Sequence, residues 1–187
     1  MTKRQNEICE LLCDYGRPEI LKWFKVDSCV ASTKVAIKVL NHFKIRARPQ
    51  ACLFEVMNPK FVELFDAEGG YPQSREEGQV WQDQGAHSVA IDGTGLGHVV
   101  AIVASSMLVD LSLDQAHRPH KGITLKATGG ILPFNFMTHG VCYADNGCRI
   151  TYFPIQNEMF RKSNDWRQGY RTGPVCKDII RKIQQSL

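Results

Sequence analysis

The chain has 187 residues, of which 43% are hydrophobic and 22% charged, with a net charge of +4. That size and balance suit one soluble globular domain with a real core, and no apolar run approaches the roughly 20 residues that a membrane span requires. The 23 basic residues are scattered and not interleaved with aromatics, which argues against nucleic-acid binding.

The opening stretch from Met1 to Glu7 turns polar before any apolar segment, so no secretory leader is expected and a cytoplasmic location is. Seven cysteines, Cys9, Cys13, Cys29, Cys52, Cys142, Cys148 and Cys176, make an odd set that does not read as a disulfide framework. Most fit as small buried hydrophobes.

In chain order, Glu7 to Asp14 and Pro18 to Phe24 read as two short helices separated by the Gly16-Arg17-Pro18 break. The segment Val30 to Phe43 carries Ala36, Ile37, Leu40 and Phe43 at helical spacing, with Asp27 or Ser28 as N-cap. Ala51 to Met57 reads as a strand ended by Asn58-Pro59, and Phe61 to Phe65 as a helical turn. Glu68 to Gln84, rich in Gly, Gln and Glu, is expected to be a long surface loop.

Three strands in quick succession follow, His87 to Ile91, His98 to Val103 and Met107 to Leu111. The short links predict an antiparallel meander, with the apolar His98 strand at its centre. Gly140 to Ala144 and Arg149 to Ile155 form a hairpin across Asp145-Asn146-Gly147. The tail from Pro174 to Leu187 is a helix with Val175, Ile179, Ile180 and Ile183 on one face. Helices, then a sheet, then a closing helix make an α+β domain.

Cys29 starts the clearest helix, where unpaired N–H groups and the helix dipole favour a thiolate. A thiolate nucleophile needs a proton-transfer partner and a group that orients it. His98 opens the central strand directly after Gly97, where the backbone leaves room for a substrate, and Asp110 lies on the next strand. If Ala104-Ser105-Ser106 is the turn, Val103 pairs with Met107. Asp110 then falls opposite Val100, diagonal to His98 at about 7–8 Å between Cβ atoms. A shift of one residue turns Asp110 to the other face.

Asp114 is the fallback for Asp110, and His87 ranks second as the base. His117, His120, His139, Cys142 and Cys148 invite a zinc reading, but the wide Cys142–Cys148 spacing counts against it, and no metal or cofactor is expected. Gly93-Thr94-Gly95-Leu96-Gly97 lacks the following helix that phosphate binding needs, and reads as a flexible loop gating access to the site.

A helix-starting Cys, a strand-opening His and an Asp on the following antiparallel strand resemble transglutaminase-like proteins and arylamine N-acetyltransferases, within the wider papain-like cysteine protease superfamily. The resemblance covers residues 20 to 116. It rests on His98-Val99-Val100-Ala101-Ile102-Val103 and on Leu108 to Gln115, whose Asp-Leu-Ser-x-x-Gln piece is similar to a recurring ending in bacterial transglutaminase-like proteins. Val30 stands where those families often place an aromatic after the Cys.

The resemblance implies that Cys29 attacks a carbonyl, His98 moves the proton and Asp110 fixes the His98 tautomer. The Cys29 N–H would contribute to an oxyanion hole, with a Gln or Trp upstream as second donor. The implied substrate is a protein or peptide amide, undergoing hydrolysis, deamidation or transamidation. A papain-like peptidase and a catalytically inactive binding module of the same fold are the alternatives.

Overall fold

The computed structural model describes residues 1–25, 28–91, 97–104, 107–125, 131–133, 141–167 and 172–187. Among these the chain is α+β, with six α-helices and an antiparallel sheet of seven strands. No described helix is long and apolar enough to cross a membrane.

Helix α1 runs unbroken from Lys3 to Leu21 with Pro18 inside it, where sequence reasoning expects two helices. Thr2 and Gln5 close a capping box at its start. Its middle is held by tertiary contacts that local propensity does not register. A Cβ on Gly16 would lie 2.9 Å from Leu111 Cδ1, so a larger residue there would make the Leu111 side chain shift. Arg17, 1% exposed, pairs with Asp114 at 2.6 Å.

Helix α2 (Cys29–His42) matches the expected helix. Ser28 takes the N-cap position without a side-chain cap bond, and Asp27 lies outside the described residues.

Strand β1 (Ala47–Met57) is the organising strand, and β2 (Ser88–Ile91) and β3 (His98–Val103) follow one another along one side of it. Its other side takes β7 (Cys148–Pro154) from Cys52 onward. The expected meander therefore holds only for β3 and β4 (Met107–Val109), because β2 pairs with β1 and not with β3. A short strand β5 (Ile131–Pro133) adds to β4. Strand β6 (Val141–Asp145) forms the expected hairpin with β7, with Asn146 and Gly147 both at positive φ in the turn.

The segment read as a long loop instead contains the end of α3 (Pro59–Glu68) and all of α4 (Arg75–Asp83). Ser74 caps α4 by accepting from Glu77 N–H, and Trp81 packs edge-on against Phe61. One buried aromatic anchors a helix whose composition is otherwise polar.

Helix α5 (Asn164–Arg167) is short, and α6 (Thr172–Ser186) closes the fold. The α6 face Val175, Ile179 and Ile183 is buried with α1 and α2 on one side of the sheet, together with Ala101, Val103 and Val109. The other side buries Phe54, Val100, Ile102, Leu108, Ile150 and Tyr152. His98 and Asp110 share the strand parity of this second set.

Candidate active site

Strand alternation explains how α2 reaches β3. Even-numbered residues of β3 direct their peptide groups to β1, and odd-numbered ones to β4. Strand β4 pairs only from Ala101 on, so the peptide groups of Val99 point past its end. Helix α2 takes the vacant place. Thr33 Oγ1 donates to Val99 O at 2.6 Å, and the Val99 main chain lies near enough to the Cys29 thiol to lower its pKa. These contacts set the start of α2 beside His98.

His98 is fully buried and stacked on Phe54, with ring centroids 4.5 Å apart. Its Nε2 lies 2.7 Å from Asp110 Oδ2. The Asp110 carboxylate also accepts from Tyr152 Oη at 2.7 Å and from the Ser112 N–H and hydroxyl, each at 2.8 Å. Burial alone would raise the Asp110 carboxyl, but the His98 charge and these donors hold it below the usual carboxylate range. An ionised Asp110 only accepts, so Nε2 of His98 carries the proton in this pair. Nδ1, the nitrogen left over, is buried with no hydrogen-bond partner among the described residues.

Cys29 is half-buried. Burial pushes its thiol upward, and this is outweighed by the hydrogen bond and charge of His98 and by the Val99 main chain, so the thiol lies below its ordinary value. The imidazole moves the opposite way. Burial would lower it, but Asp110 and then Cys29 hold it well above the ordinary value. The thiol interacts with the ring strongly enough to bias both titrations, yet Nδ1 lacks a completed hydrogen bond. The thiol is therefore close enough to interact with the ring without a completed hydrogen bond to Nδ1. The other buried thiols go the other way: burial pushes Cys9 and Cys176 up to about 11, and Cys13 and Cys52 higher still.

The turn from β3 to β4 places Val103 opposite Met107, the register that the expected triad needs. Ser105 and Ser106 themselves, like 92–96 of the glycine loop and His139, lie outside the described residues. The fallback Asp114 is committed to Arg17. His87 sits just before Ser88, which pairs with Met57, whereas His98 pairs with Cys52. Five residues of strand put about 17 Å between those positions, so His87 is remote from Cys29.

Gly97 is not open space for a substrate. At φ +66° its Cβ position lies 3.1 Å from Cys52 O and 3.3 Å from Ile155 Cδ1, so glycine is required for packing and not for access. Trp23, the tryptophan upstream of Cys29, stands 48% exposed at the end of α1, and no contact brings it to the site as an oxyanion donor.

Sequence reasoning missed Tyr152, Ser112, Phe54 and Thr33. Only Ser112 carries a local signal, since Asp side chains commonly accept from the N–H two residues on. Tyr152 and Phe54 reach the site through β1–β7 pairing, where they stand opposite each other.

Beside the Cys29 packing cluster, which includes Ala51, Ile155 and Phe160, opens a cleft of about 470 Å³. It is lined by those three residues together with Arg48, Gln50 and Arg161 among others. Comparison of the chain with protein-family models, curated proteins and solved structures gives no match.

Proposed function

We propose that the protein is a cysteine-nucleophile acyl-transfer enzyme acting on a protein or peptide amide, with a papain-like, transglutaminase-like core. The observation that carries the reading is the chain of contacts from an ionised, fourfold hydrogen-bonded Asp110 through His98 to a thiol of lowered pKa at a helix start. A buried ion pair with a merely structural role would engage both imidazole nitrogens. Here one is unpartnered, on a ring that interacts with a nucleophile.

In this reading Cys29 attacks the carbonyl carbon as thiolate, with its proton held on His98 Nδ1. Collapse of the tetrahedral intermediate expels the amine, which takes that proton, and leaves a thioester on Cys29. The Cys29 N–H, in the first turn of α2 where amides have no helical partner, would stabilise the oxyanion. Water or a second amine then attacks the thioester as His98 takes a proton, giving hydrolysis, deamidation or transamidation. The complete burial of His98 favours one rival, a binding module that keeps the fold without catalysis.

The test is the rate of iodoacetamide labelling of Cys29 from pH 5 to 9 in the wild type and in His98→Ala. Fast labelling below pH 7 that collapses in the variant is expected. Slow labelling that the substitution leaves unchanged would hand the argument to the binding module. Incorporation of a labelled primary amine into casein then separates transferase from hydrolase.

A further inference from the structure

Among the described residues, the start of β1 has one side without a strand partner. Residues 47–52 pair with β3, but on the opposite side β7 begins only at Cys52, and beyond it Ile155 N–H bonds to Ala51 O. By alternation, Ala47 and Pro49 direct their peptide groups to the same side as Ala51. No described strand meets them there. Pro49 is tolerated at this point because its missing N–H faces the unpaired edge. The edge offers the N–H of Ala47 and the carbonyls of Ala47 and Pro49, and it runs toward the site: Ala51 stands opposite Val99, whose main chain lies near the Cys29 thiol.

The charges along this edge are one-sided. Arg46 and Arg48 line one groove beside it, and Arg48 also lines the cleft that contains Arg161 across from it. Arg46 and Arg48 are both exposed, and Arg48 is held by a 2.8 Å bond to Gln50 Oε1. Among the described residues Glu158 is the one acidic side chain lining the cleft, and Arg161 reaches it at 3.1 Å. Three arginines against one glutamate leave a positive rim on a strand edge that leads to the nucleophile.

We infer that an extended acidic segment of a protein substrate docks as an added strand on residues 47–50, its carboxylates met by Arg46, Arg48 and Arg161. This deepens the acyl-transfer reading by naming the class of substrate, and it rests on that reading only for the fate of the docked chain. Strand addition supplies affinity through main-chain bonds and leaves side chains to confer specificity. Arg forks suit carboxylates. A peptide is favoured over a nucleic acid because the edge offers main-chain donors and acceptors in strand geometry.

The experiment uses the full chain carrying Cys29→Ala, so that binding is read with the chemistry removed. The probe is fluorescein-labelled acetyl-Glu-Val-Glu-Val-Glu-Val-amide, followed by fluorescence anisotropy beside its Gln and Lys counterparts. The Glu peptide should bind at least about tenfold tighter than the Gln peptide, as expected of two charge-assisted contacts. Arg48→Glu should abolish or reverse that preference, and N-methylation of alternate residues should remove binding, because the added strand donates through those N–H groups. Equal affinity for all three peptides, indifference to Arg48→Glu, or displacement by an oligothymidylate of similar charge that binds tighter than the peptide would overturn the inference. Cys29 alkylation in the unmutated chain is scored separately, so a dead thiol sinks the enzyme reading without deciding the docking result.

Discussion

Asp110→Asn takes one negative charge out of the site while nearly keeping its shape. In the native chain Asp110 Oδ2 accepts from both His98 Nε2 and Tyr152 Oη, and Oδ1 accepts twice from Ser112. Asparagine has one acceptor oxygen and two N–H donors. If that oxygen stays with Ser112, the amide N–H groups face two other donors. His98 must then present a bare Nε2 and move its proton to Nδ1, the nitrogen that has to receive the thiol proton. If the amide turns round, the buried Ser112 N–H loses its acceptor. In both arrangements the imidazolium loses its counter-charge.

His98 is pushed up to about 10 from an ordinary 6.5, against a burial effect of opposite sign. At about 1.4 kcal/mol per pKa unit that elevation is worth roughly 5 kcal/mol. An opposite charge at 4 Å in an effective dielectric of about 20 supplies a similar amount, about 4 kcal/mol. Losing even half of it moves the imidazole down by about two units and lowers the equilibrium constant for the thiolate–imidazolium pair about 100-fold. Burial then dominates Cys29, and its titration rises toward the range of the other buried thiols.

The assay is the second-order rate of iodoacetamide labelling at pH 6.5 in a Cys142→Ser background, Cys142 being the one exposed cysteine. The Cys29 peptide is quantified by mass spectrometry, and near-ultraviolet circular dichroism verifies the fold. Slower labelling, by up to about 100-fold, with the pH midpoint displaced upward, is expected. A folded variant that labels at the native rate would refute the claim that Asp110 activates Cys29 through His98.

Two substitutions test the frame around the site. Arg17→Ala leaves the Asp114 carboxylate without its partner at the junction of α1 and the turn after Asp110, and should destabilise the protein by about 3–5 kcal/mol. Combining Arg17→Met with Asp114→Leu should recover most of that loss in urea unfolding, and failure to recover any would mean the pair does more than satisfy itself. Gly97→Ala forces a side chain into a left-handed conformation 3.1 Å from Cys52 O, costing about 1–2 kcal/mol for the backbone alone. It should lower the melting temperature and slow Cys29 labelling together, because His98 is the next residue. An unchanged melting temperature would show that the turn relaxes freely.

What the sequence reveals of this fold is what short-range pattern encodes. Helix α2 carries its apolar residues at helical spacing, and an Asp inside the apolar run Met107 to Leu111 demands a partner, so the Cys29, His98 and Asp110 grouping and its register were legible. The turn Asp145-Asn146-Gly147 was legible because two successive positive φ values need residues of that kind. Helix α1 was misread because Gly16 and Pro18 break helices locally, whereas here a close contact with Leu111 and the Arg17–Asp114 pair hold the helix through them. Helix α4 was missed because one tryptophan anchors nine mostly polar residues. The pairing of β2 with β1 and the arrival of Tyr152 and Phe54 at His98 depend on strand order, which no local pattern specifies.

The burial of His98 and Asp110 itself argues for a purpose beyond stability. Desolvating two charges costs several kcal/mol each, and well-packed apolar residues of the same volume are often as stabilising or more so. Phe54 and Val100 beside the pair are apolar, while Tyr152 and Ser112 donate to Asp110. Hydrogen bonds around the pair are unevenly distributed: Asp110 receives four donors, while one nitrogen of His98 has no partner among the described residues. Saturating the carboxylate fixes its position and keeps it ionised, which holds the ring in one orientation with Nε2 protonated. The unsatisfied Nδ1 carries a desolvation cost of about 1–3 kcal/mol. A hydrogen bond or a proton from the half-buried Cys29 thiol, which interacts with this ring, would offset that cost. On the proposed chemistry a proton held between Cys29 and His98 gives that nitrogen a partner and leaves the thiolate nucleophile in the same arrangement.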